Sequence, residues 1–121
     1  MIRIIIIDDE QRARETICEI IKLHCENVQI VGQADSVSSG LEVIRNAAPD
    51  VVLLDIQLAD GTAFDLLKQL GTVDFKVIFI TAYEQYAIEA FRFSALDYIL
   101  KPIDPDELKK AVYKAQHSLG L

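Results

Sequence analysis

Short runs of apolar, mostly β-branched residues alternate along the chain with longer segments whose apolar residues recur at helical spacing. The short runs predict five strands: Arg3–Ile7, Val28–Gln33, Val51–Leu54, Lys76–Ile80 and Leu96–Leu100. The longer segments predict five helices: Gln11–His24, Val37–Asn46, Thr62–Leu70, Glu84–Phe93 and Pro105–Ser118. The assignment rests on length and period, because an amphipathic helix repeats its apolar residues every three or four positions over a longer stretch.

Strict alternation of strand and helix predicts an α/β fold in which one parallel sheet is covered by helices on both faces. The runs Ile4–Ile7, Val51–Leu54 and Val77–Ile80 are wholly apolar, as buried central strands of such sheets are. The second run is interrupted by Gln29 and Gln33 and is therefore predicted to lie at an edge. Ligands of such sheets bind beyond the carboxyl ends of the strands, so the residues that follow each strand are the first candidates for chemistry.

Turn and capping residues support these boundaries. Asp35 and Ser36 stand where the second helix needs an N-cap, and Thr62 follows a turn and can cap the third. Asp104 precedes Pro105, and proline is favoured in the first turn of a helix, where its missing N–H leaves no bond unmade. The starts of these three predicted helices therefore each have a local chemical reason.

Length and charge exclude several classes of function. The 121 residues suit one domain spanning 1–121, and 51% hydrophobic residues suffice for a core. A formal charge of −7 disfavours direct binding of nucleic acid, which needs a basic face. The apolar runs are far shorter than the roughly 20 residues of a membrane helix. We therefore expect a cytoplasmic protein that does not associate with membranes.

The two cysteines, Cys18 and Cys25, lie in or next to the first predicted helix. Seven residues of helix separate them by about 10 Å of rise, which is too far for a disulfide. We expect free thiols in a reducing compartment. A metal site with His24 is the weaker alternative, because further ligands are missing nearby.

Polar residues with related chemistry follow four of the five strands. They are Asp8 and Asp9 after the first, Asp55 after the third, Thr81 after the fourth and Lys101 after the fifth. Carboxylates brought together at one edge repel one another unless a cation joins them. Oxygen ligands without histidine or cysteine favour a hard cation, and Mg²⁺ is the natural choice.

Each of these residues alone has a simpler structural interpretation. Asp8 or Asp9 could cap the first helix, and Lys101 with Pro102 could form a surface turn. The sequence contains neither of the glycine-rich phosphate loops GxxxxGK[ST] and GxGxxG. Gln57, two residues after Asp55, cannot act as a general acid, which disfavours turnover of an external substrate and predicts that the protein is not an enzyme in that sense.

Four motifs together make the chain resemble the receiver domain of two-component response regulators over essentially its whole length. They are Ile4-Ile5-Ile6-Ile7-Asp8-Asp9-Glu10, Val52-Leu53-Leu54-Asp55, Ile80-Thr81-Ala82 and Tyr98-Ile99-Leu100-Lys101-Pro102. The stretch 79–91, followed by Ala95-Leu96-Asp97-Tyr98, resembles more narrowly the receivers of LytTR-type regulators. The resemblance implies a flavodoxin-like (βα)5 fold with strand order 2-1-3-4-5.

The resemblance also implies a role for each residue at the strand ends. Asp55 would accept the phosphoryl group, and Lys101 would pair with the phosphoryl oxygens. The Mg²⁺ ligands would be Asp9, Asp55 and the backbone carbonyl of Gln57, with Asp8 acting through water. The Thr81 hydroxyl would move to the phosphoryl group, and Tyr98 would rotate into the space it leaves. The Lys101–Pro102 peptide bond would be cis.

Two positions depart from the pattern of the family. Ala59 stands where most members have proline, and Gly61 makes the following loop short. Because this loop controls access to the acyl phosphate, we expect the departures to affect the lifetime of the acyl phosphate more than its formation. Gln57 and Tyr83 would flank the phosphoryl group and the attacking water, and would also influence that lifetime.

The implied partners follow from the same resemblance. A sensor histidine kinase would supply the phosphoryl group, and phosphorylation would promote a homodimer through the fourth helix, fifth strand and fifth helix. That face is rich in apolar residues: Phe91, Phe93, Leu96 and Ile99. We expect DNA to be bound only by a LytTR-type output domain absent from this chain. The alternatives are a stand-alone receiver and a degenerate receiver that only binds proteins.

Overall fold

Five parallel strands form one sheet in the structure, a computed structural model that describes residues 1–120. The strands are β1 (Ile2–Ile7), β2 (Val28–Ala34), β3 (Val51–Leu54), β4 (Lys76–Thr81) and β5 (Asp97–Leu100). Their order in the sheet is β2-β1-β3-β4-β5, which confirms the predicted order, and β2 is an edge strand as predicted.

Helices cover both faces of this sheet. They are α1 (Gln11–His24), α2 (Val37–Ala47), α3 (Ala63–Leu70), α4 (Ala87–Arg92) and α5 (Pro105–Ser118). Alternate residues of β1 enter the two cores: Ile5 and Ile7 pack with α2, α3 and α4, whereas Ile4 and Ile6 pack with α1 and α5. All four isoleucines are buried, which explains why the strand is apolar at every position. Within residues 1–120 no helix has the length and apolar character needed to cross a membrane.

The predicted fourth helix differs most from the structure. The segment Glu84–Phe93 divides into a 3₁₀ turn, Glu84–Tyr86, followed by the shorter helix α4. Apolar spacing does not distinguish these two forms, because a 3₁₀ turn commonly precedes an α-helix and continues its pattern. An antiparallel hairpin, Gln57–Leu58 with Gly61–Thr62, was also not predicted, because two-residue strands are too short to show a period.

The other boundaries shift by at most one residue. Three elements begin one residue away from the predicted position: β1 at Ile2, α3 at Ala63 and β5 at Asp97. Three others end one residue later than predicted: β2 at Ala34, α2 at Ala47 and β4 at Thr81. Thr62 accordingly lies outside α3 and caps it by accepting a hydrogen bond from the Asp65 N–H. The predicted cap at Ser36 is confirmed, and Pro105 lies in the first turn of α5 as predicted, with Asp104 as an N-cap that was not predicted. Glu10 occupies the N-cap position of α1, so neither Asp8 nor Asp9 is that cap.

A long-range contact also caps α2. The Asp60 carboxylate accepts hydrogen bonds from the N–H groups of Val37 (2.6 Å) and Ser38 (3.1 Å), across 23 and 22 residues of sequence. Helix N-termini favour such anions, because their first N–H groups have no partner within the helix. These hydrogen bonds hold the pKa of Asp60 below its usual value. The loop after β3 is thereby attached to the start of α2.

Replacing Asp60 is expected to lower the melting temperature at neutral pH. Asp60→Asn keeps one acceptor but loses the charge, so the variant is less stable than the wild type at pH 7. Because the folded-state pKa of Asp60 is depressed, its contribution is present above the unfolded pKa of about 4 and is lost as the pH falls through the folded value. The difference in melting temperature should therefore shrink below pH 4. The exposed Asp74→Asn is the matched control and should show no such trend.

The two cysteines are free, as predicted, and the structure shows that both are partly buried. Burial raises the pKa of both the Cys18 and the Cys25 thiol, so neither is an activated thiolate. Among residues 1–120, the one grouping of three or more candidate metal ligands is Asp8, Asp9 and Glu10. The structure therefore gives no support to a metal site at His24.

Candidate functional site

The carboxyl ends of the central strands bring the candidate residues together. β1 and β3 are neighbours in the sheet, so Asp8 and Asp55 follow adjacent strands, and the Asp55 N–H donates to the carbonyl of Ile7 at 2.9 Å. On the other side, the backbone N–H of Lys101 donates to the carbonyl of Thr81 at 2.8 Å, which joins the ends of β4 and β5. The peptide bond between Lys101 and Pro102 is cis, as the resemblance implied.

One ammonium group is shared by two buried carboxylates. The Lys101 Nζ lies 2.8 Å from Asp8 Oδ2 and 3.0 Å from Asp55 Oδ2. Asp8 is 1% exposed and Asp55 is 5% exposed, so both carboxylates are largely withdrawn from water. Their second oxygens accept backbone hydrogen bonds, from Glu10 N–H at 2.9 Å and from Ile56 N–H at 2.7 Å. The fold therefore fixes the orientation of both carboxylates.

Burial and charge act in opposite directions on this triad. Burial raises the pKa of Asp55 above its usual value, and this outweighs the hydrogen bond and charge of Lys101, which lower it. Burial would lower the pKa of Lys101, but its bonds to Asp8 and Asp55 prevail and raise it. The lysine is therefore charged throughout the neutral range. Two buried carboxylates against one ammonium leave an excess of negative charge, which attracts a further cation.

An acidic cluster continues this site toward solvent. Carboxylate oxygens of Asp8, Asp9 and Glu10 lie within 4.8 Å of one another, with Asp8 buried and the other two exposed. This all-oxygen donor set suits Mg²⁺, which commonly takes one or two carboxylates and retains several waters. Asp55 is not a member of this group and joins it through Lys101 and Asp8. Glu10 is the member that the sequence did not predict.

Arg14 supports the acidic cluster from α1 and was also missed. Its guanidinium donates a hydrogen bond to the backbone carbonyl of Asp8 at 2.7 Å. The sequence does not indicate this role for Arg14, because charged residues are common on the exposed faces of helices. The bond stabilises the backbone that presents the Asp8 and Asp9 carboxylates.

Thr81 and Tyr98, the predicted switch residues, meet at Tyr83. Thr81 is fully buried, and its hydroxyl oxygen accepts a hydrogen bond from the Tyr83 N–H at 3.4 Å. The Tyr98 hydroxyl donates a hydrogen bond to the Tyr83 carbonyl. The centroid of the Tyr98 ring lies 6.1 Å from that of the Phe79 ring. Burial and the charge of Asp55 raise the pKa of the Tyr98 phenol. The loop after β4 is thus held by a side chain from β5.

Gln57 makes a contact that the sequence did not predict. Its side-chain Nε2 donates to the Tyr86 hydroxyl at 3.0 Å, linking the hairpin after Asp55 to the 3₁₀ turn before α4. The apolar pattern places Tyr86 in a continuous helix and gives no reason to assign its side chain to the site. The spacing of Tyr83 and Tyr86 was the available signal, since residues three apart share one side of a turn.

Comparison with known proteins shows the family to which this fold belongs. The chain belongs to the response regulator receiver domain family, whose model matches residues 4–113. It is 46% identical over 114 residues to an uncharacterised response regulatory protein of Vibrio parahaemolyticus, an alignment that covers 93% of this chain and 46% of the relative. It is 38% identical over 117 residues to the sensory transduction protein LytT of Bacillus cereus, covering 94% of this chain and 47% of the relative.

Solved receiver structures superpose closely on this one. The receiver domain of AraT, a response regulator from Geobacillus stearothermophilus, gives a TM-score of 0.89 at 32% identity, covering 98% of this chain and 95% of that one. The response regulatory domain of MrkE from Klebsiella pneumoniae gives 0.87 at 28% identity, covering 96% of both chains. The protein is therefore a two-component receiver with LytT-type relatives. It spans about half the length of the curated relatives that it matches.

Proposed function

We propose that a sensor histidine kinase phosphorylates this receiver on Asp55, with Mg²⁺ present. The observation that carries the proposal is the Lys101 ammonium, which lies within 3.0 Å of carboxylate oxygens of both Asp8 and Asp55. A cation at this position can neutralise charge on a phosphoryl group as it arrives, which is the main contribution that a protein makes to such a transfer.

The groups that this chain contributes to the chemistry all lie at the carboxyl edge of the sheet. A carboxylate oxygen of Asp55 forms the new bond to phosphorus, while the bond from phosphorus to the kinase histidine nitrogen breaks and its electron pair remains on that nitrogen. Asp8, Asp9, Asp55 and the Gln57 backbone carbonyl would hold Mg²⁺, which when bound supplies further positive charge for the phosphoryl oxygens. Glu10 is an additional candidate, since its carboxylate lies in the same cluster as Asp8 and Asp9.

Thr81 and Tyr98 would transmit the effect of phosphorylation at Asp55 to the surface of the domain. The Thr81 hydroxyl can donate to a phosphoryl oxygen at Asp55, and its present bond to the Tyr83 N–H is long, at 3.4 Å, and weak. Since Tyr98 also bonds to Tyr83, movement of Thr81 affects both the loop and β5. Phosphorylation shifts this equilibrium only by as much as the phosphoryl group prefers one arrangement over the other.

The output would be control of transcription through a LytTR-type DNA-binding domain, as the LytT-type relatives suggest; the alternative is a stand-alone receiver that acts by protein–protein contact. In either case the chain would promote only its own phosphorylation and dephosphorylation, because Gln57 offers no general acid for an external substrate. A receiver of this kind would work in the cytoplasm, where the kinase presents its phosphohistidine.

Intact-mass spectrometry with acetyl phosphate tests the phosphorylation. With Mg²⁺ the wild-type chain should gain the mass of one phosphoryl group, and chelation of the metal should abolish the gain. An absence of adduct in the presence of Mg²⁺, together with no binding of a beryllofluoride mimic, would favour the alternative of a receiver that only binds proteins.

Exposed apolar residues on α4 and β5 predict a phosphorylation-dependent homodimer. Phe91 is 83% exposed, Ile88 69% and Leu100 40%, whereas Ile99 is buried and belongs to the core. Burial of an exposed phenylalanine contributes about 1.5–3 kcal/mol, so Phe91→Ser should weaken dimerisation tenfold or more. Analytical ultracentrifugation in the presence of beryllofluoride measures the dimer dissociation constant. Leu23→Ser, at a 71% exposed site on α1, is the control. A wild-type chain that stays monomeric at high concentration would contradict this interface.

A further inference from the structure

Two side-chain hydrogen bonds hold the segment Tyr83–Tyr86 from opposite sides. From β5, the Tyr98 hydroxyl donates to the Tyr83 carbonyl. From the hairpin after Asp55, the Gln57 Nε2 donates to the Tyr86 hydroxyl at 3.0 Å, across 29 residues of sequence. The first bond involves a predicted switch residue. The second involves Tyr86, to which neither the sequence nor the proposed chemistry gives a role.

Tyr86 is a well-anchored partner for Gln57. The Tyr86 ring is half-buried, and its centroid lies 6.3 Å from that of Phe64 on α3. On its other side the Tyr83 ring meets it edge-on, with 6.2 Å between the two centroids. Packing on two sides fixes the position of the hydroxyl, because an aromatic ring has only two side-chain torsions. The glutamine side chain has three, and it loses much of its rotamer freedom when it bonds to a fixed partner. Gln57 is therefore restrained two residues from Asp55.

We propose that Tyr86 is a positioning residue that holds the Gln57 side chain beside Asp55 and thereby slows hydrolysis of the acyl phosphate. The inference rests on the proposed function, because Asp55 must first carry a phosphoryl group. In hydrolysis a water oxygen bonds to phosphorus, the bond from phosphorus to the Asp55 carboxylate oxygen breaks, and both protons of the water leave with inorganic phosphate. A restrained side chain next to the phosphoryl group closes one approach to this water.

The same contact connects the lifetime of the signal to the output face. Tyr86 is the last residue of the 3₁₀ turn and directly precedes α4. A displacement of α4, for instance on dimerisation, moves the Tyr86 hydroxyl and with it the restraint on Gln57. The coupling is reciprocal, since any preference of one site for one state of the other acts equally in both directions.

The test compares acyl-phosphate half-lives in the full 121-residue chain. Tyr86→Phe removes the hydroxyl and keeps the ring, and loss of one hydrogen bond of ordinary strength should shorten the half-life about twofold to tenfold. Gln57→Ala removes the restrained side chain and should shorten it at least as much. The double variant should match Gln57→Ala alone, because Tyr86 acts only through Gln57. Tyr113→Phe, an exposed tyrosine on α5, is the control.

A spectroscopic readout separates positioning from a general loss of stability. The side-chain amide resonance of Gln57, identified by its absence in Gln57→Ala, should shift in Tyr86→Phe and stay in place in Tyr113→Phe. Half-lives that are unchanged or longer in Tyr86→Phe, or that shorten further in the double variant, would overturn the inference while the proposed function stands. A wild-type chain that takes up no phosphoryl group would overturn the proposed function and this role together.

Discussion

Asp55→Asn is expected to abolish the phosphoryl adduct that acetyl phosphate and Mg²⁺ form on the wild-type chain. An amide oxygen is a far weaker nucleophile than a carboxylate oxygen, and it cannot form the mixed anhydride. The substitution preserves shape, and the single asparagine oxygen can still accept one of the two hydrogen bonds that the Asp55 carboxylate receives, from Ile56 N–H or from Lys101. The loss should therefore be chemical and leave the fold intact. Intact-mass spectrometry and circular dichroism on the same samples measure both.

Two further variants define how this result is interpreted. Asp74→Asn removes an exposed carboxylate away from the site and should be phosphorylated like the wild type. Asp8→Asn keeps Asp55 and should lower the rate of adduct formation without removing the acceptor. A full adduct on Asp55→Asn would mean that another carboxylate, with buried Asp8 the first candidate, accepts the phosphoryl group.

Lys101→Met is expected to produce the largest change in stability. Methionine fills most of the volume of the lysine stem but leaves the buried carboxylates of Asp8 and Asp55 without their shared cation. Removal of one member of a buried ion pair costs about 3–5 kcal/mol, and the 17% exposure of the lysine side chain favours the lower end, about 3 kcal/mol at pH 7. Urea unfolding in the presence of a chelator measures the free energy of unfolding.

The pH dependence of Lys101→Met has a definite sign. Without the ammonium, burial and the charge of Asp8 raise the folded-state pKa of Asp55 further above its unfolded value of about 4. A carboxyl group whose folded-state pKa is raised makes the fold progressively less stable as the pH rises from the unfolded pKa to the folded pKa. The variant should therefore approach the wild type as the pH falls toward 4. Added Mg²⁺ should restore part of the difference at pH 7, and a variant as stable as the wild type at pH 7 would contradict the role of the ion pair.

A surface lysine provides the matched control for this experiment. Lys110 lies exposed on α5, the helix that follows the loop carrying Lys101. Lys110→Met removes the same charge and adds the same thioether, but it leaves no buried carboxylate without a partner. Its free energy of unfolding should stay within about 0.5 kcal/mol of the wild type, with no added dependence on pH.

The sequence by itself determined the layers of the fold and which polar residues lie together at the carboxyl edge of the sheet. The four consecutive isoleucines of β1 could be assigned to a central strand because a strand covered on both faces must be apolar at every position. Parallel strands share one carboxyl edge, so Asp8, Asp55, Thr81 and Lys101 could be expected at one place from their positions alone. Topology converts these sequence positions into proximity without knowledge of side-chain geometry.

Only the tertiary structure decided which of these groups contact one another and which further residues support them. The shared bond of Lys101 to Asp8 and Asp55, the cap that Asp60 places on α2 and the bond from Gln57 to Tyr86 span from 22 to 93 residues. Periodicity and capping describe neighbours within a few positions along the chain. Contacts of long range depend instead on how the helices pack against the sheet, and this packing is where the site acquires its geometry.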